Sequence, residues 1–75
     1  MEEKLLEIFR SVFNETDPSE ITLETEFKEL EQYSSLTQMT LIEEIQSELN
    51  VTLKLMPMVK AETISDVLDA IQKKG

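Results

Sequence analysis

Three stretches of the 75-residue chain carry apolar residues at the spacing of an amphipathic α-helix. The pattern predicts a first helix over residues 2–14, a second over residues 35–50 and a last helix that begins after Thr63. The apolar stripes comprise Leu5, Ile8, Phe9 and Val12 in the first helix, Met39, Ile42, Ile45 and Leu49 in the second, with Leu36 beside them, and Ile64, Val67, Leu68 and Ile71 in the last.

Signals at the helix ends support these positions. Thr63 followed by Asp66 resembles a capping box, and Asn50 is a suitable residue to end the second helix. Lys73 and Lys74 complement the carboxyl end of the last helix dipole. Between the second and the last helix, the sequence of residues 54–60 predicts a loop with one short helical turn that begins at Pro57. We interpret the apolar residues of this segment as part of the core in preference to a contact surface.

A connection of nearly twenty residues, 15–33, separates the first two helices and is long for a compact domain. Its apolar residues Ile21, Leu23, Phe27 and Leu30 are expected to pin it across the helices, with a short helical turn near residues 26–30. The pattern as a whole predicts an all-α bundle of three main helices plus one short helix, with a long first loop, in a single domain over residues 1–75. We expect a monomer.

The composition leaves few means of catalysis. The chain has no His, no Cys and one Gly, so it lacks the usual general base, a thiol and a glycine-rich phosphate loop. We therefore expect no enzymatic activity and no metal site. No apolar run is long enough to span a membrane and no signal-peptide pattern opens the chain, so we expect a cytoplasmic protein.

Charge narrows the choice of partners. A net charge of −9 disfavours nucleic acid, because binding nucleic acid relies on Lys and Arg. Residues 1–31 hold ten acidic side chains against three basic ones, which would attract a basic partner surface to this half of the chain.

The pair Ser34-Ser35 lies where the long loop meets the second helix. A helix N-terminus offers unpaired N–H groups and a partial positive charge, so a phosphate bonded to a serine oxygen is well tolerated there. A purely structural interpretation is also open. Ser35 and Gln38 fit a Ser-x-x-Gln capping box, and Ser34 is an alternative cap.

The stretch Phe27-Lys28-Glu29-Leu30-Glu31-Gln32-Tyr33-Ser34-Ser35-Leu36 and the helix that follows it resemble the acyl carrier protein family. That family places Asp-Ser-Leu at the head of its second helix after a long loop, and the likeness covers nearly the whole chain. Here Ser34 replaces the Asp, and Glu31-Gln32-Tyr33 replaces a loop stretch with glycine, which indicates a divergent member.

The resemblance implies that a phosphopantetheinyl transferase attaches 4′-phosphopantetheine covalently to Ser35. The arm's thiol would hold an acyl group as a thioester and present it to separate acyl-handling enzymes with basic surfaces. It implies a role in fatty acid biosynthesis or lipid metabolism, and the departures favour a specialised carrier of a secondary or lipid-modifying gene set over the housekeeping fatty-acid carrier. A small bundle of this kind would shelter a short cargo between its helices. Two alternatives stay open, namely an aminoacyl or peptidyl carrier and an unmodified helical module that binds other proteins.

Overall fold

A computed structural model describes residues 2–72 of the chain as a bundle of helices without strands. The helices are α1 (Glu2–Val12), α2 (Ser35–Leu49), α3 (Leu55–Lys60) and α4 (Ile64–Gln72), and two 3-10 turns lie at Pro18–Glu20 and Phe27–Glu29. The predicted bundle of three main helices plus one short helix, with a long first loop, is therefore confirmed. Lys73 and Lys74, predicted to complement the end of α4, lie outside the described residues.

The core is built around three phenylalanines. The ring of Phe9 in α1 packs edge to face against that of Phe27 in the long loop, with 5.2 Å between ring centroids. The Phe9 ring also stacks on that of Phe13, with 6.2 Å between centroids. The α1 helix packs chiefly against α2, and α4 packs against α1 and α3. The buried residues are Leu5, Ile8, Phe9, Phe13, Ile21, Phe27, Leu41, Ile42, Ile45, Leu53, Met58, Ala61, Ile64, Val67 and Leu68. They come from all four helices and from the loop, so the long connection is part of the core.

Backbone and side-chain hydrogen bonds hold the long loop in place. Arg10 donates from Nε to the carbonyl of Pro18 and from Nη2 to that of Ile21, both at 3.0 Å. Near the loop's midpoint, the amide of Ser65 donates to the carbonyl of Leu23 at 2.8 Å, which ties the loop to the start of α4. The loop therefore reaches Ser35 by a defined path.

The carboxyl end of α2 follows its sequence signal. Asn50 adopts the left-handed conformation with φ of 55° and ψ of 46°, which Asn tolerates better than most residues and which ends the helix one residue earlier than predicted. Gln46 then accepts a hydrogen bond from the amide of Leu53 at 2.9 Å, which fixes the turn that leads to α3. The first helix also ends early, at Val12 instead of residue 14.

The start of α4 confirms the predicted capping box. The Asp66 carboxylate accepts from the amides of Glu62 and Thr63 at 3.0 and 3.1 Å, and the Asp66 amide donates to the Thr63 hydroxyl at 3.2 Å. The two amide hydrogen bonds stabilise the charged form and hold the pKa of Asp66 below its ordinary value of 3.8.

The prediction for α3 was wrong in its starting point. The helix begins at Leu55, so Pro57 is its third residue and not its first. Proline is accepted there because the first amides of a helix have no intrahelical partner to lose. None of the helices described over residues 2–72 is long and apolar enough to cross a bilayer.

Candidate functional site

The start of α2 assigns different structural tasks to the two serines. Ser34 is the N-cap, with an extended backbone and a hydroxyl that accepts a hydrogen bond from the Thr37 amide at 3.2 Å. Its carbonyl accepts from the Gln38 amide at 2.9 Å, the first hydrogen bond of the helix. The capping box with Ser35 as the cap is therefore wrong, and the alternative with Ser34 as the cap is confirmed.

Ser35 is the first residue of α2 and its side chain is exposed. Over residues 2–72, no protein group forms a hydrogen bond with its hydroxyl, and none accepts from the amides of Ser35 and Leu36. An accessible hydroxyl thus lies beside two free N–H donors at the positive end of a fifteen-residue helix. This arrangement suits a phosphate ester on the serine oxygen, because nearby amides and the helix dipole both favour negative charge.

Hydrogen bonds from four side chains hold the backbone on either side of Ser35. Thr37 donates from its hydroxyl to the carbonyl of Gln32 at 2.7 Å, and Tyr33 donates from its hydroxyl to the side-chain carbonyl of Gln38. The Gln32 side chain in turn accepts from the Glu15 amide at 2.9 Å, which connects the site to the start of the long loop, three residues after α1. No pattern in the sequence predicts these contacts, because only the Ser-x-x-Gln spacing indicates a role for Gln38.

Leu36 and Met39 on α2 are exposed, which corrects the stripe expected for this helix. Leu36 is 77% exposed and Met39 is 48% exposed, whereas the buried face consists of Leu41, Ile42 and Ile45. Two apolar side chains in the first turns of α2, one and four residues after Ser35, are therefore exposed at the surface instead of entering the core.

The interpretation of residues 54–60 as core was wrong for three of its apolar side chains. Met58 is fully buried, but Leu55, Met56 and Val59 are 49%, 59% and 44% exposed. A six-residue helix has fewer than two turns, and only one of its faces packs against the bundle. On α3 this face contributes a single buried side chain, Met58. The exposed residues of α3 are available for contacts with another molecule.

A cleft of about 750 Å³ lies between α3, the segment before it and α4. Leu53, Met56 and Ala70 contribute apolar surface to it, and Lys54, Lys60 and Asp66 contribute charge. Ser35 does not line this cleft. The expectation that a cargo is sheltered between the helices stays a prediction.

Comparison with known families agrees with this geometry. A family model described as "Phosphopantetheine attachment site" matches residues 3–71, and the chain belongs to this family. Searches of curated proteins and of solved structures gave no significant match.

The family defines the class of protein to which this chain belongs. Its members are non-catalytic carriers with covalently attached 4′-phosphopantetheine. The chain is accordingly a phosphopantetheine-bearing carrier of the acyl carrier protein type and not an enzyme. Such a carrier interacts with the enzyme that modifies it and with enzymes that handle its cargo.

Proposed function

We propose that Ser35 is the residue that receives the phosphopantetheine arm, and that the loaded protein carries an acyl group and presents it to separate enzymes. The observation that carries this proposal is that the two serines at the start of α2 have different structural roles. Ser34 performs the capping, and the exposed Ser35 hydroxyl has no hydrogen-bond partner among residues 2–72.

The loading step uses coenzyme A and a phosphopantetheinyl transferase. A base on the transferase takes the Ser35 hydroxyl proton, the serine oxygen bonds to the phosphorus, and the pyrophosphate P–O bond of coenzyme A breaks to release adenosine 3′,5′-bisphosphate. The free amides of Ser35 and Leu36 favour the added negative charge. When attached, the arm supplies the thiol that a chain without Cys lacks, and that thiol holds the acyl group as a thioester.

Partner enzymes contact exposed apolar side chains that we call the docking face: Leu36 and Met39 on α2, which follow Ser35 within four residues, and Leu55, Met56 and Val59 on α3. Exposed acids farther along α2, namely Glu43, Glu44 and Glu48, favour partners with basic surfaces. The overall charge of −9 strengthens attraction to such partners at low salt. We propose that the carrier works as a monomer in the cytoplasm.

The resemblance to acyl carrier proteins supports an acyl cargo and a role in lipid metabolism. An aminoacyl or peptidyl cargo is the alternative. The loaded protein is incubated with an enzyme that transfers acyl groups from coenzyme A thioesters, and separately with an adenylating enzyme that uses amino acids. The mass of the product then shows which of the two cargoes the protein accepts.

The attachment residue is tested by intact mass. The protein is incubated with coenzyme A and a broad-specificity transferase, together with Ser35→Ala and the neighbouring control Ser34→Ala. We expect the wild type and Ser34→Ala to gain the mass of one phosphopantetheinyl group and Ser35→Ala to gain none. No gain by the wild type with several transferases would favour an unmodified interaction module, and a gain by Ser35→Ala would place the arm elsewhere.

The docking face is tested by kinetics. Leu36→Ala and Met39→Ala should raise the KM of the transferase for the carrier, because each removes exposed apolar area that the complex buries. Thr52→Ala is a control at an exposed position outside the docking face. Equal KM values for all of these proteins would reject the proposed face.

A further inference from the structure

The residues on the two sides of Ser35 are joined across the start of α2. Tyr33 lies two residues before Ser35, and its hydroxyl donates to Oε1 of Gln38, three residues after it. The Tyr33 ring is anchored from the other side, since it packs edge-on against buried Phe27 with 5.9 Å between centroids and 65° between planes. We call the Tyr33–Gln38 hydrogen bond with this ring contact the tyrosine clamp.

We propose that the tyrosine clamp positions the Ser35 hydroxyl for phosphopantetheine transfer, which makes Tyr33 and Gln38 positioning residues of the site. This inference rests on the proposed attachment to Ser35. The clamp connects the loop that leads into the site directly to the first turn of the helix that carries the serine.

Ser35 depends on its neighbours for its position because its own side chain has no protein partner among residues 2–72. The path of the backbone from residue 33 to residue 38 therefore sets the position of the Ser35 Cβ, and with it the few places that the hydroxyl can reach by rotation about χ1. The Thr37 amide donates a hydrogen bond to the Ser34 hydroxyl, and the Thr37 hydroxyl donates one to the carbonyl of Gln32. The clamp is the contact that links this turn to the phenylalanine core through the Tyr33 ring.

The clamp is suited to this task by its environment. Tyr33 and Gln38 are both partly buried, so their hydrogen bond competes less with water than one at a fully exposed surface. A small angular error in a reacting oxygen lowers the rate of transfer even where binding is unchanged. Loss of the clamp should therefore lower the kcat of loading and leave the KM for the carrier unchanged.

The test compares Tyr33→Phe, Gln38→Ala and the double variant as substrates of a phosphopantetheinyl transferase with coenzyme A. Tyr33→Phe keeps the ring that packs on Phe27 and removes only the hydroxyl. Gln46→Ala is the matched control, because Gln46 is another partly buried glutamine of α2 whose side-chain carbonyl accepts a hydrogen bond, here from Leu53 at 2.9 Å. Circular dichroism at the assay temperature verifies that each variant is folded.

We expect each single variant to lower kcat about fivefold, which corresponds to the loss of ~1 kcal/mol. The double variant should be no slower than the slower single one, since both substitutions break the same bond, and Gln46→Ala should load at the wild-type kcat. Three results would overturn the clamp while leaving attachment at Ser35 intact. They are wild-type rates for both single variants, additive losses in the double variant, and an equal loss in Gln46→Ala. A wild-type protein that is not loaded, or loading that persists in Ser35→Ala, would overturn the proposed function and the clamp with it.

Discussion

Ser34 and Ser35 are neighbours with the same side chain, and the structure predicts opposite consequences when each is replaced by alanine. Ser34→Ala removes the acceptor of the Thr37 amide, 3.2 Å away, and an exposed contact of 3.1 Å with the Thr37 hydroxyl. The Thr37 hydroxyl keeps its hydrogen bond of 2.7 Å to Gln32, and the freed amide is exposed enough to be solvated. The expected cost is therefore that of a single N-cap, about 1 kcal/mol. In a domain of this size such a loss lowers the melting temperature by about 4–8 °C.

Ser35→Ala should leave stability unchanged or raise it by roughly a few tenths of a kcal/mol, because alanine favours helix more than serine does. Thermal unfolding followed by circular dichroism measures both variants, and intact mass after transferase treatment measures loading. The expected result is a crossed pattern, in which Ser34→Ala is less stable and is loaded while Ser35→Ala is stable and is not. Equal destabilisation by the two substitutions would refute the assignment of capping to Ser34 alone, because it would show that the Ser35 hydroxyl also stabilises the fold.

Other substitutions test the fold and the site. Ile42→Ala removes a side chain that is 7% exposed and should cost ~2–5 kcal/mol in urea unfolding, whereas Met39→Ala on the same helix should cost less than about 1 kcal/mol; equal costs would contradict the assigned burial. Asp66→Asn mimics the protonated carboxyl. Because amide hydrogen bonds lower the pKa of Asp66, the stability difference between wild type and Asp66→Asn should be full above pH 3.8 and should vanish as the pH falls through the lowered pKa; a difference that persists in acid would reject this cause. Arg10→Gln should lower stability by about 1 kcal/mol through its two lost loop contacts, and an unchanged urea midpoint would show that they contribute nothing. Ser34→Asp keeps a good cap and places the residue of the resembling family beside Ser35, so we expect faster loading in a time course; identical rates would dismiss an assisting carboxylate.

Signals that act within a few residues were interpreted correctly from the chain. Thr63 and Asp66 form the expected capping box, and Asn50 ends α2 in the left-handed conformation. The partners in these motifs are adjacent in sequence, so their geometry depends little on the rest of the fold. The anchoring role of Ile21 and Phe27 in the long loop was also correct, since isolated large apolar residues in a polar stretch gain most from burial.

Predictions of which side chains are exposed succeeded less well. Leu36 and Met39 continue the apolar character of α2, yet the bundle covers Leu41, Ile42 and Ile45 and leaves both of them exposed. On α3, likewise, Met58 is buried and the neighbouring Val59 is exposed. A helical pattern identifies an apolar face, but the packing partners decide how much of that face is covered.

The order and spacing of residues alone established an all-helical bundle, a long anchored loop and a pair of serines at the head of the second helix, because these features follow from periodicity and local turn chemistry. The assembled structure decided which serine caps the helix, which apolar side chains stay exposed beside it and that Tyr33 reaches Gln38 across the site. These outcomes depend on where the loop lies against the core. The position of the loop follows from the packing of Phe27 against Phe9, residues eighteen positions apart in the chain.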